Sequence, residues 1–101
     1  MYLEDRVRNW AVTRGLDTIE GTGHLLKLVE EVGELAGNHV KEKSLAEVGA
    51  EAADVFICLL MYTQARGLDL VAEAEAKMLV NEERTGRANR FGVYVKTADQ
   101  S

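Results

Sequence analysis

Residues 44–66, SLAEVGAEAADVFICLLMYTQAR, constrain the fold of this chain more than any other stretch. They run for several helical turns without proline, and at ~100° per residue their apolar positions do not gather on one stripe. Val48, Val55 and Leu59 point one way, Ile57, Leu60 and Met61 nearly the opposite way, with Phe56 and Tyr62 between. A helix that is apolar all round is expected to be buried. The same segment carries Glu47, Glu51 and Asp54 in one narrow column that Cys58 continues. Carboxylates taken into an interior are costly unless a cation or a metal ion compensates them.

The rest of the chain reads as further helices. Leu3, Val7, Trp10 and Ala11 make a helical stripe over residues 2–14, closed by Gly15 with Leu16 beyond it. GLDTIEGTG at 15–23 is a loop. A second helix spans about 22–41, with Thr22 as a plausible N-cap. Its apolar face collects Leu25, Leu28, Val29, Val32, Leu35, Ala36 and Val40, and its polar face Lys27, Glu30, Glu31, Glu34 and Asn38. Ser44 and Glu47 form a capping box for the third helix, and Gly67 closes it. Asp69 opens a fourth helix to about residue 84, and FGVYV at 91–95 is a short strand or an extended arm. With no proline and short loops, the expectation is one all-α domain over 1–86, an antiparallel four-helix bundle-like fold, followed by a tail at 87–101. A helix apolar on every side has too few partners within such a chain, so an oligomer is expected.

Composition excludes some functions. The net charge is −5, which argues against a nucleic-acid polymer as partner, since phosphate backbones require a basic face. Cys58 is the single cysteine, so no internal disulfide forms and the chain reads as intracellular; at an apolar helix position its thiol reads as inert core. The acidic residues right after Met1-Tyr2-Leu3 do not suit a signal peptide. No apolar run approaches the roughly 18 residues of a membrane span.

Two constellations can carry chemistry. Glu31 and Glu34 on the second helix are i, i+3 neighbours, as are Glu51 and Asp54 on the third. If the helices are antiparallel neighbours, the four carboxylates converge, and an all-oxygen set suits Mg²⁺ or Mn²⁺. The competing reading is two solvated acidic faces, which fits the second helix better than the third. A di-iron site needs Glu-x-x-His pairs, which neither His24 nor His39 supplies. One cysteine and two unrelated histidines do not make a zinc site. On the fourth helix Lys77, Asn81 and Arg84 share one face, donor chemistry that suits phosphate oxygens and that alone reads equally as a solvated face. Trp10 is a candidate for stacking on a nucleobase, although its stripe position also suits a core residue. His24 is a candidate ligand contact or a simple cap.

The segments LLKLVEEVGELAG, EVGAEAADVFICLL and RGLDL…KMLVNEER resemble the MazG-like, all-α nucleoside triphosphate pyrophosphohydrolases. The match covers roughly residues 20–86. It consists of E-E-x-x-E (Glu30, Glu31, Glu34), E-x-x-D (Glu51, Asp54) and K-x-x-x-N-x-x-R (Lys77, Asn81, Arg84). The resemblance implies that Glu31, Glu34, Glu51 and Asp54 hold Mg²⁺, with Glu30 in a supporting role. It implies that an activated water attacks phosphorus and releases nucleoside monophosphate and pyrophosphate, and that Lys77, Asn81 and Arg84 hold the phosphates. It also implies a base pocket near Trp10 and His24, a homo-oligomer (dimer or tetramer), a cytoplasmic setting and a role in nucleotide-pool housecleaning. Two alternatives stand beside this expectation: a phosphoribosyl-ATP pyrophosphatase-like hydrolase, and a non-catalytic helical interaction module.

Overall fold

The structure, a computed structural model, describes residues 2–18 and 20–97. Four α-helices, α1 (Leu3–Thr13), α2 (Gly21–Val40), α3 (Leu45–Ala65) and α4 (Leu70–Glu83), make the chain all-α. A 3-10 turn, Leu16–Thr18, follows α1. The strands β1 (Gly86–Ala88) and β2 (Tyr94–Lys96) pair antiparallel, with Arg87 opposite Val95. No helix among the described residues is long and apolar enough to cross a membrane. Contacts divide the chain after Leu70 into two compact units, α1–α3 in the first and the body of α4 with the ribbon in the second.

Helix ends follow local chemistry. Glu47 N–H donates to Ser44 Oγ and Ser44 N–H donates to Glu47 Oε2, both at 3.2 Å, completing the expected capping box. Gly67 leaves α3 at φ 72°, and Leu68 N–H then donates to Thr63 O at 2.9 Å, closing a Schellman motif. The same motif closes α2: Lys43 N–H donates to Asn38 O and Glu42 N–H to His39 O. Here the left-handed position holds Glu42, at φ 54°. The start of α2 differs from expectation. Its N-cap is Glu20, without a side-chain cap, and the Thr22 hydroxyl instead donates to Glu20 Oε1 at 3.2 Å.

In the first unit α2 and α3 run antiparallel. Glu31 meets Glu51, while Gly21 at the start of α2 lies against Tyr62 and Arg66 at the end of α3. Gln64 Nε2 donates to Glu4 O at 3.0 Å and ties α3 to α1. The core holds Val7, Ala11, Cys58, Leu60 and Met61, with Leu16, Leu28, Ile57 and Leu70 packed on it.

Four sequence expectations are corrected by the structure. On α1 only Val7 and Ala11 of the stripe are buried, and Trp10 is 44% exposed. On α3 the buried residues are Cys58, Leu60, Met61 and Thr63, all in its C-terminal half; Phe56 and the small residues of its N-terminal half reach solvent. Two neighbouring helices cannot cover a third on every side. On α2 the inward line is His24, Leu28, Glu31 and Leu35, whereas Leu25, Val29, Val32, Ala36 and Val40 are exposed. The helix is turned roughly a quarter of a revolution from the orientation that its apolar residues suggest. Finally, of FGVYV only Tyr94 and Val95 enter a strand. Asn89 Oδ1 accepts from Phe91 N–H and Val93 N–H and folds 89–93 into the turn. Of the tail expected over 87–101, residues 98–101 lie outside the described residues.

Candidate metal centre

The inward turn of α2 brings Glu31 to α3. Glu31 is 7% exposed, an unusual position for a carboxylate, and Glu51 opposite it is half-buried. One carboxylate oxygen from each of Glu31, Glu51 and Asp54 lies within 4.8 Å of the other two. Glu30, Glu31 and Glu34 form a second such triad, so Glu31 belongs to both. The i, i+3 spacing on each helix delivers this convergence once the helices are antiparallel.

The electrostatics are those of crowded acids. The neighbouring Glu31 carboxyl first, then burial and Glu34, push the Glu51 pKa up to about 7. The Glu31 pKa is lowered, mainly by the Glu51 carboxyl as hydrogen-bond partner and then by Lys27. Lys27 Nζ lies 3.2 Å from Glu31 Oε1 and 3.3 Å from Glu30 Oε1. Both contacts, with Glu31 the stronger, raise the Lys27 pKa. Glu51 Oε1 is buried and has no hydrogen-bond partner. An orphaned carboxylate oxygen among three other carboxylates is what a divalent cation satisfies, so the donor set fits a hard metal ion. Burial pushes the Cys58 thiol pKa up, which suits an inert core residue.

A cavity of about 260 Å³ opens between α1, the 3-10 turn, α2 and α3, lined by Arg8, Leu16, Asp17, His24, Met61 and Gln64 among others. His24 Nε2 lies 3.2 Å from Leu16 O, which can only accept, so Nε2 donates and, in the neutral ring, Nδ1 is an acceptor. Trp10 does not line this cavity; its ring carries the Arg14 guanidinium at 6.0 Å from the centroid. Lys77, Asn81 and Arg84 lie in the second unit, on α4 and just past its end, with Asn81 and Arg84 half-buried.

Sequence reasoning missed Lys27, although K-x-x-E-E places it three and four residues before two carboxylates, the spacing of helical ion pairs. It also missed Arg8, Asp17 and Gln64. No local pattern announces them, because the cavity is assembled from four separate segments.

No family model and no curated protein matches the chain. Among solved structures it is similar to the Cyanophage S-2L MazG-like pyrophosphohydrolase bound to dGDP and three catalytic Mn²⁺ ions per active site. The two share 26% identity, and the match covers 93% of this chain and 88% of that one with a TM-score of 0.73. A fold shared over nearly the whole length at 26% identity supports the MazG-like family for this chain.

Proposed function

We propose that the chain is a divalent-metal-dependent nucleotide pyrophosphohydrolase that cleaves a nucleoside triphosphate to the monophosphate and pyrophosphate. The observation that carries this reading is the buried, unpartnered Glu51 Oε1 inside a four-carboxylate cluster. Glu31, Glu34, Glu51 and Asp54 are the proposed ligands of Mg²⁺, with Mn²⁺ able to substitute, and Glu30 supports them from the exposed side. A bound ion would neutralise phosphate oxygens and lower the pKa of a water. The protein's own part is to hold the carboxylates rigidly on two packed helices and to release the Glu51 proton as the ion enters. Lys77, Asn81 and Arg84 are the proposed phosphate donors, through charge-assisted hydrogen bonds.

The cavity beside His24 is the proposed base site. Along α3, seven residues separate Asp54 from Met61, a rise of about 10 Å. That leaves room for a ribose between the carboxylates and the cavity. The His24 Nδ1 acceptor and the Asp17 and Gln64 side chains offer polar contacts to a base edge. Trp10 adjoins Ala11 and Val12, which line the cavity, and is the proposed stacking residue at its margin. We further propose that the active form is a homo-oligomer of the cytoplasm that acts on the nucleotide pool.

The test is a panel of common and damaged nucleoside triphosphates, with phosphoribosyl-ATP included, assayed for pyrophosphate with Mg²⁺ or Mn²⁺. Metal-dependent pyrophosphate release is expected. Asp54→Asn and Glu51→Gln should each lose more than the roughly 10–100-fold typical of a lost outer-shell partner. Wild-type protein that releases no pyrophosphate from any of these would return the chain to a helical interaction module.

A further inference from the structure

Among the described residues, Lys27 is the cation seated on the carboxylate cluster, 3.2 Å from Glu31 Oε1 and 3.3 Å from Glu30 Oε1. We propose that Lys27 is a placeholder cation: it neutralises Glu30 and Glu31 in the metal-free protein, yields Glu31 to the divalent ion, and then turns to the substrate's phosphate oxygens. This rests on the metal-dependent reading above.

Three observations support it. First, the Glu31 side chain is 9% exposed, and a buried carboxylate without a counter-charge is costly. Lys27 supplies that charge from the same helix, one turn earlier. Second, Glu31 is the carboxylate common to both oxygen triads, so any ion held by either triad contends with the ammonium for Glu31. Two cations a few ångströms apart repel, so occupancy by one disfavours the other. Third, the Lys27 side chain is 52% exposed and ends in a compact ammonium on a flexible stem. The lysine end of the pair is open to solvent, and its long stem lets the ammonium swing from Glu31 to a new partner. An ammonium released beside a metal centre faces the phosphates that the centre binds, and lysine serves such groups as a point charge.

The experiment compares wild type with Lys27→Met, Lys27→Gln and Lys27→Arg. Mn²⁺ is titrated into nucleotide-free protein and followed by electron paramagnetic resonance. Melting is recorded with and without Mn²⁺, and KM and kcat are measured at saturating Mn²⁺. Neutral variants should bind Mn²⁺ about three- to tenfold more tightly, because a competing positive charge is gone. They should melt at lower temperature than wild type without metal and like wild type with it. Their KM should rise about tenfold or more, the loss of a charged phosphate contact, with kcat changed less. Lys27→Arg should keep the metal-free melting temperature.

Tighter Mn²⁺ binding with raised KM in either neutral variant establishes the placeholder. Unchanged or weaker Mn²⁺ binding overturns it; weaker binding would make Lys27 a positioning residue for Glu31. Unchanged KM overturns the turn towards phosphate. A wild type that binds no Mn²⁺ removes the metal reading itself, an outcome distinct from a wild type that binds while the variants match it.

Discussion

At Glu51 burial and ionisation work against each other. The carboxyl faces Glu31 and Glu34 and has one oxygen with no partner, so its pKa stands at about 7 against an ordinary 4.5. Between those two values the folded protein holds a proton that the unfolded chain has released. Stability of the metal-free protein therefore falls as pH rises through that window. Glu31 acts in the opposite sense: its lowered pKa contributes stability above the ordinary carboxylate range, lost as pH falls through its folded value. Since the resolved rise at Glu51 reaches neutral pH, its sign governs between about pH 5 and about pH 7. The metal-free melting temperature should drop across that range, and Glu51→Gln should flatten the drop. Mn²⁺ binding at about pH 6 should release a proton, seen by calorimetry in buffers of different ionisation enthalpy, and should release less at about pH 8. A Glu51→Gln variant with the wild-type pH slope would place the titrating group elsewhere.

Among elements, the ends of the helices obey the sequence more closely than their faces do. The left-handed residue that ends α3 is Gly67, and the one that ends α2 in the same motif is Glu42. A side chain in that conformation costs roughly 1–2 kcal/mol, partly offset by the entropy glycine loses on folding. Glu42→Gly should thus stabilise the protein by about 0.5–1 kcal/mol, read from urea unfolding at constant m-value. A destabilised variant would mean that the Glu42 side chain holds the 41–44 connection. The Ser44–Glu47 box, Gly15 and Gly67 were legible because capping is a matter of neighbouring residues. The facing of α2 was not. Its valines suggest one inward side, yet the chain turns the His24, Leu28, Glu31 and Leu35 line inward, which also brings Glu31 to Glu51. The paired i, i+3 acids were legible as a spacing. In sequence Lys27 belongs to a solvated face, since an ion pair to a buried acid and one to an exposed acid look alike there. In the ribbon, Gly86 had no legible role. A Cβ there would stand 2.5 Å from the tip of the Tyr94 side chain, so in this rotamer the ring lies across the glycine and any larger residue would push it aside.

For the molecule as a whole, the turn of α2 decides where apolar surface is left over. Facing Glu31 inward sends Leu25, Val29, Val32, Ala36 and Val40 to one exposed stripe, with Val29 65% and Val32 47% exposed. On α3, Phe56 and the small residues around Glu51 are likewise uncovered. Exposed apolar surface of this kind, on the helices that also carry the carboxylate cluster, suits an association site. A second copy suits it, because small residues let helices approach closely and the stripe carries no charge to repel its like. The core within one chain rests on five buried apolar side chains among the described residues, little for a domain of this length. The chain should therefore be an obligate oligomer, and sedimentation at low micromolar concentration should show no folded monomer. Fully burying a valine contributes roughly 1.5–3 kcal/mol relative to leaving it exposed. Val29→Ser and Val32→Ser, each only partly buried by a neighbour, should each weaken the dissociation constant about tenfold. Since the stripe and the carboxylates lie on one helix, dilution should lower Mn²⁺ affinity as it dissociates the assembly. A stable, well-folded monomer that binds Mn²⁺ as tightly as concentrated protein would show that the exposed stripe has no bearing on assembly or on the site.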